Sequence, residues 1–322
     1  MISKSILFAL LASSPAFAGL VQSNPPVPSK DAPDLVWDLD ASITKGYRNF
    51  RTTNDAITPK EGATAPSTAG LAALHESGSS EFSSKGLKSM MKKFSGPVTV
   101  FDLRQEDHGF INDLPVSWFA TNNWANVDKP HDVIVAEEKA RFVVLTPGAK
   151  VAVTTDKAKK GDPDTAAAPA APAAAVPDLS IASAETEGQL VNAAGAHYVR
   201  LTVTDHCRPT DAEVDAFVAA VRALPADGWA HFHCRAGRGR TTTFMALYDM
   251  LRNAQNVSLL DIVQRQSLLA GDYDLLGKES EPGAKAGVAA DRAAFVRAFY
   301  DYAKANPNGQ PQLWSAWLKS QP

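Results

Sequence analysis

The chemistry of this chain gathers in one short run, His233-Cys234-Arg235-Ala236-Gly237-Arg238-Gly239-Arg240-Thr241. A thiolate is a strong nucleophile, and backbone dipoles and arginines beside Cys234 favour the charged sulfur. Gly237 and Gly239 are free to take φ > 0, so the backbone between Cys234 and Arg240 can turn its N–H groups inward as an anion nest. The positive end of a helix that follows adds to the same field. Arg240 can fork two oxygens of a phosphate-sized dianion, most usefully in a trigonal-bipyramidal transition state. Thr241 offers the sulfur a hydroxyl, which helps it leave when a thiophosphate is hydrolysed. A cysteine and an arginine at this spacing are weak signals alone. The flanking His233, two glycines and Thr241 make the pattern specific.

Such a loop needs a strand before it and a helix after it. Residues 229–233 form an aromatic run that reads as a buried strand, and residues 241–250 have helical apolar periodicity. The nucleophile also needs a partner that protonates the leaving alkoxide and then deprotonates water. Asp205 fits, because it lies just beyond an alternating strand over 198–204, on a loop closed by Pro209. Thr210 and Glu213 form a capping-box pair that opens an amphipathic helix to residue 224. One strand and one helix separate Asp205 from Cys234, so adjacent parallel strands would bring both loops to one sheet edge. A helix-start role for Asp205 is the weaker reading, since Thr210 already takes the cap.

The remaining chain is ordinary in composition. Its 322 residues are 45% hydrophobic and 21% charged with a net charge of −3, which allows a large core and one or two domains. That balance gives no global attraction for nucleic acid or a membrane surface, so any hold on a polyanion is local. Arg235, Arg238 and Arg240 lie close together, with Arg208 on the acid loop. One phosphate needs one fork, so the surplus suits a substrate with several phosphates. Solvated surface charge is the alternative.

Residues 1–18 have the pattern of a signal peptide, with Lys4, an apolar run over 6–11 and Ala16-Phe17-Ala18 for cleavage after Ala18. The run is too short to span a bilayer, so a periplasmic or secreted protein is expected. Residues 19–46 read as an extended Pro-rich arm and 47–322 as the catalytic domain. Within the domain, a basic helix over 87–94 leads to a strand over 98–103. The polar cluster after it, with Asp102, Arg104, Glu106, Asp107 and His108, is either ligand-binding or a structural network. Residues 131–155 and 179–192 alternate in the β manner, giving a small β-subdomain over roughly 120–195. The Lys- then Ala/Pro-rich segment 157–177 inside it reads as a disordered insertion. Helices are expected near 259–269 and 289–305, then a tail over 313–318 that packs Trp314 and Trp317. Strand–helix alternation gives an α/β sheet with helices on both faces.

His231 and His233 lack a second ligand cluster at metal spacing, so no metal and no cofactor is expected. Cys207, the other cysteine, reads as an inert half-buried residue. The alternative is an oxidative cross-link to Cys234, which needs Cα atoms within about 7 Å.

The run 233–241 matches the His-Cys-x5-Arg-Ser/Thr loop of the cysteine phosphatases. Tyr-x-Arg-x-x-x-Thr-Asp-His at 198–206, Pro209-Thr210 and Trp229-Ala-His-Phe-His-Cys narrow the likeness to the protein tyrosine phosphatase-like phytases. Asn49-Phe50-Arg51-Thr52, Ser77-Gly78-Ser79-Ser80, Trp124-Ala125-Asn126 and the C-terminal Trp314-Ser315-x-Trp317 are similar too. The resemblance implies a tyrosine-phosphatase-like α/β core, with a mainly parallel sheet flanked by helices and a small β-subdomain. It also implies metal-independent hydrolysis of phytate and lower inositol polyphosphates through a cysteinyl-phosphate. Carried over, Cys234 is the nucleophile, Arg240 the phosphate fork, Asp205 the general acid and Thr241 the helper of the leaving sulfur. Arg51, His206 and the loop residues Arg235, Ala236, Gly237, Arg238 and Gly239 contact substrate, and Lys150, Lys285 and Arg292 supply further basic contacts. The chain departs from the family at Asn123, where an acid can stand, and at Ala289, where a tyrosine is possible. Those changes bear on which phosphate is removed, not on the catalytic step. A protein tyrosine or dual-specificity phosphatase and a non-catalytic phosphoinositide-binding module are the alternatives.

Overall fold

The computed structural model describes residues 26–39, 45–154, 176–277 and 285–321. The signal-peptide segment 1–18 and most of the Ala/Pro-rich insertion lie outside the described residues. The first half of the chain gives β1 (Asp34–Trp37), β2 (Arg51–Thr52), β3 (Glu76–Ser80), α1 (Ser84–Met91), β4 (Val98–Asp102), β5 (His108–Ile111) and β6 (Leu114–Phe119). Then come α2 (His131–Val143), β7 (Lys150–Val153), β8 (Val176–Ser180), β9 (Ala184–Thr186), α3 (Glu187–Ala193) and β10 (His197–Arg200). The last third is α4 (Asp211–Arg222), β11 (Trp229–Cys234), α5 (Gly239–Asn253), α6 (Leu259–Leu269), α7 (Val288–Ala305) and α8 (Trp314–Lys319).

The central sheet has the order β10-β4-β11-β3-β2. Its first four strands are parallel, and β2 is antiparallel on the edge. All of β11 is buried. Its alternate residues Ala230, Phe232 and Cys234 join a core with Phe217 of α4, Phe244 of α5, Ile262 of α6, Phe299 of α7 and Trp314 of α8. Trp229 instead packs with Leu87 of α1 and Leu190 of α3 on the opposite face. Period-two burial of one strand therefore sorts the helices into two layers. The expected capping box is present, with Thr210 and Glu213 starting α4. Among the described residues no helix is long and apolar enough to cross a membrane.

Beside this core stands a four-stranded antiparallel sheet in the order β1-β6-β5-β9, with β7 and β8 paired next to it. Its make-up differs from the expectation in three ways. β1 belongs to the stretch read as an extended arm, and it pairs with β6 instead of trailing. Residues 131–143 are helical, not a strand. Val133-Ile134-Val135 imitates a strand, but the buried residues of α2 are Ile134, Glu138 and Phe142, spaced four apart. Residues 187–193 are helical as well, because Thr186 and Gln189 close a capping box that turns the chain out of β9.

The order of the central sheet also corrects the expected adjacency of the acid and nucleophile strands. β4 lies between β10 and β11, so the loop after β4 enters between theirs.

The two sheets are tied together through buried ions. Arg104, fully buried, donates to Asp38 Oδ2 at 2.8 Å, Glu81 Oε2 at 2.7 Å and Glu106 Oε1 at 2.8 Å. Asp38 follows β1 and also accepts from Ser117 Oγ on β6 and from Arg235 Nε, each at 2.8 Å. The polar cluster after β4 is thus a structural network, one of the two readings its sequence allowed. Burial opposes the charge of Asp38, but Arg104 and then Arg235 outweigh it and bring its pKa to about 2. A carboxyl depressed in this way contributes stability above its unfolded value and loses it as pH falls through the folded one. The protein should therefore lose about 2 kcal/mol from this group between about pH 4 and about pH 2. Denaturant unfolding at a series of pH values should show Asp38→Asn less stable at neutral pH and with a shallower loss over that interval. Parallel acid limbs would contradict the assignment.

Candidate active site

Between β11 and α5 the chain closes around the sulfur of Cys234. Cys234 Sγ accepts from Gly237 N–H at 3.3 Å and from Thr241 Oγ1 at 3.1 Å. The loop's carbonyls are drawn away from it. Glu81 N–H donates to the Arg235 carbonyl at 3.2 Å, Asn49 Nδ2 to that of Ala236 at 2.8 Å, and Arg51 to that of Gly237 at 2.8 Å. With its carbonyls held outward, the loop leaves its N–H groups to the hollow over the sulfur. Arg238 precedes α5 with no side-chain cap, so the first N–H groups of the helix are also open. Gly237 alone of the two loop glycines has φ > 0, at 74°. A Cβ there would sit 2.3 Å from the Ser80 nitrogen, so close approach to β3 also requires glycine. Gly239 already belongs to the helix, which corrects the positive φ expected there.

Arg240 is held from three sides. NH1 and NH2 meet Glu106 Oε2 and Oε1 at 2.7 and 3.0 Å, and NH1 also reaches the Val203 carbonyl at 3.1 Å. NH2 lies 3.2 Å from Asp205 Oδ1. Its Nε is buried without a hydrogen-bond partner among the described residues. The guanidinium fork therefore faces Glu106, NH2 also meets Asp205, and Nε is the nitrogen left without a partner among the described residues. Burial works against the Glu106 charge, but Arg240 and Arg104 outweigh it and hold the carboxyl well below the usual range. The same sum at Asp205, burial against Arg240 and then His206, leaves its carboxyl below the usual range as well.

Arg51, expected to contact substrate, is engaged by the loop itself. It is buried, and its guanidinium binds the Asn49 and Gly237 carbonyls and Thr242 Oγ1, so it braces the loop from behind. Burial lowers its pKa to about 10, with the Cys234 sulfur acting in the opposite sense. Arg235 is likewise engaged, by Asp38 and over the Phe119 ring at 5.1 Å. His206, Lys285 and Arg292 converge on the acid loop. Lys285 Nζ is 2.9 Å from His206 Nε2, and Arg292 NH1 donates to the His206 carbonyl at 2.9 Å. Arg292 and Arg238 both face the Tyr273 ring, at 5.6 and 6.0 Å. Lys150 lies exposed at the start of β7, in a sheet that shares no strand with the loop.

His231 accepts or donates to Ser77 and Ser79 at 2.9 and 3.1 Å, a structural role. Two buried groupings have metal-like spacing, Glu81-Glu187-His233 and Asp102-His108-Glu187. They share Glu187 and are paired internally, with His233 2.7 Å and His108 3.0 Å from it, while Arg200 holds Asp102 at 3.0 Å. The expectation that His233 has no ligand cluster at metal spacing is corrected by these groupings, which ion pairs hold together. Cys207 and Cys234 are not joined by a disulfide, and Cys207 packs with Trp124, Val127 and Val288 in a cluster separate from that of Cys234. Asp38 was not named from sequence, Glu106 only within the polar cluster after β4, and Asn123 only as a departure from the family pattern. Glu106 had one usable signal, its place just beyond a strand that ends at the same edge.

A family model described as PTP-like phytase, inositol hexakisphosphate, matches residues 101–252. A PTP-like phytase from Bdellovibrio bacteriovorus is similar in structure, with a TM-score of 0.73 and 40% identity over 92% of this chain and 97% of that one. So is the PTP-like myo-inositol phosphatase from Mitsuokella multacida in complex with myo-inositol-(1,3,4,5)-tetrakisphosphate, with a TM-score of 0.78 and 35% identity over 91% of this chain and 50% of that one. The effector protein hopD2 of Pseudomonas syringae pv. tomato is 33% identical over 300 residues, 91% of this chain and 61% of its own length. This chain thus spans about three fifths of that relative. On sequence, fold and coverage together, the chain belongs to the PTP-like phytase family.

Proposed function

We propose that this chain hydrolyses phosphomonoesters of inositol polyphosphates, inositol hexakisphosphate among them, through a cysteinyl-phosphate intermediate. The observation that carries the reading is Cys234 Sγ held by Gly237 N–H and Thr241, close enough to Arg240 to act on its charge, with Arg240 in turn against Asp205. Membership of the family supports the substrate class, as does the inositol tetrakisphosphate held by the Mitsuokella relative.

The steps follow from the atoms. The loop amides and Arg240 hold the phosphoryl oxygens, and Cys234 Sγ attacks phosphorus in line. As the P–O bond breaks, Asp205 gives its proton to the leaving alkoxide. The carboxylate then takes a proton from water, which attacks the phosphocysteine, and the thiolate leaves with the Thr241 hydroxyl bonded to it. In the ligand-free site Asp205 is held ionised, chiefly by Arg240 against its burial. A phosphate dianion in the loop neutralises Arg240 and repels the carboxylate, so docking itself loads the acid with its proton. Arg238, Arg292, Lys285 and His206 form a second basic group beside the acid loop, suited to a neighbouring phosphate of the same ring. The pattern at Lys4, residues 6–11 and Ala16-Phe17-Ala18 supports action in the periplasm or outside the cell.

Cys234→Ser should lose turnover on inositol hexakisphosphate while keeping the fold and polyphosphate binding; phosphate release by the purified Cys234→Ala variant would sink the reading. Asp205→Asn should lower kcat/KM on inositol hexakisphosphate by roughly 10²–10⁴-fold, and far less on p-nitrophenyl phosphate, whose leaving group barely needs a proton. Equal loss on both substrates would make Asp205 structural. The field over the loop comes from arginine and amides, so activity should survive a chelator. Inactivation by EDTA that one divalent metal reverses would oppose this. A phosphotyrosine peptide hydrolysed faster than inositol hexakisphosphate would favour the protein phosphatase alternative.

A further inference from the structure

Asn123 closes a short turn, Thr121–Asn123, directly after β6. It is 2% exposed and sits at φ 65°, a region that asparagine, aspartate and glycine tolerate best. Its Nδ2 lies 3.3 Å from Asp205 Oδ2. Its Oδ1 is buried without a hydrogen-bond partner among the described residues, so the amide is not held there by a surrounding network. The next residue acts on the same target, since Trp124 Nε1 donates to the Asp205 carbonyl at 3.0 Å. The other carboxyl oxygen, Oδ1, is occupied by Arg240 NH2 at 3.2 Å and by the His206 N–H at 3.1 Å. An oxygen facing a guanidinium and an amide N–H is a poor place for a proton. Oδ2 is left as the one that carries it.

We propose that Asn123 is a positioning residue for the general acid, holding Asp205 Oδ2, the oxygen that hands its proton to the leaving group. As a donor on that side, the amide favours the carboxylate and thereby sets the alkaline end of the activity range. The titratable and charged groups that face Asp205 are Arg240 from α5, Glu106 from the loop after β4 and its neighbour His206, itself in contact with Lys285 and Arg292. Among these Asn123 is the neutral partner, so replacing it changes hydrogen bonding at Oδ2 without removing a charge. The inference rests on Asp205 being the acid of a cysteine phosphatase.

A turn-forming role alone makes a different forecast. Aspartate and glycine both keep φ > 0 available at this position, so Asn123→Asp and Asn123→Gly would then resemble the wild type. The experiment is the pH profile of kcat/KM on inositol hexakisphosphate for the three proteins. Asn123→Asp places a second carboxylate against Oδ2, which keeps Asp205 protonated to higher pH. Its alkaline limb should move up by about one pH unit or more. Asn123→Gly should move it up less and lower kcat on inositol hexakisphosphate about ten-fold, with a much smaller loss on p-nitrophenyl phosphate. Profiles that superimpose on the wild type overturn the proposal. If the aspartate variant does not fold, the glycine variant decides by the same limb and the same substrate contrast. Asp205→Asn, run alongside, separates the two claims. A leaving-group-dependent loss there with unmoved Asn123 profiles refutes only the role of Asn123. An equal loss on both substrates removes the acid itself.

Discussion

A carboxylate buried between two guanidinium groups is the constraint on which this structure depends. Glu106 binds Arg104 with one oxygen and Arg240 with both, and none of the three has more than a trace of solvent contact. Removing one member of such a set strands the others, at a cost of about 3–5 kcal/mol. The same pairing fixes the Arg240 guanidinium beside Asp205. Arg104 also reaches Asp38, and Asp38 reaches Arg235 on the loop itself. The antiparallel sheet is thereby connected to the phosphate loop through ions, and is more than a lid beside it.

The loop obeys a complementary rule. An anion nest needs its N–H groups free and its carbonyls occupied elsewhere, and Glu81, Asn49 and Arg51 each take one. Arg51, part of the sequence pattern, takes the Gly237 carbonyl and Thr242 Oγ1 and so holds the backbone of the loop.

Local features were legible in the sequence, and features made by strand order were not. Cys234, Arg240, Thr241 and the cap at Thr210 are set by neighbours within one turn or loop, where spacing carries the physics. Asp205 was legible because it stands just past a strand and before a capped helix. Glu106 and Asn123 reach the site only because β4 is inserted between β10 and β11 and because the chain returns from β6 over the acid loop. The helix over 131–143 was hidden by three β-branched residues in a row. Its buried positions at a spacing of four were the stronger signal. The arm was misread for a similar reason, since residues 34–37 gain a strand partner only from the distant β6.

The central claim is that phosphate passes through the sulfur of Cys234. Asp205→Asn should still accept the phosphoryl group from a donor whose leaving group barely needs a proton, but hydrolyse the thiophosphate slowly, because no base remains to activate water. Rapid quench of that variant with p-nitrophenyl phosphate, followed by peptide mapping by mass, tests the claim directly. The account predicts one phosphoryl group on the peptide bearing Cys234, absent from the Cys234→Ser protein. Phosphate release with no adduct at Cys234, or an adduct on another residue, would contradict it.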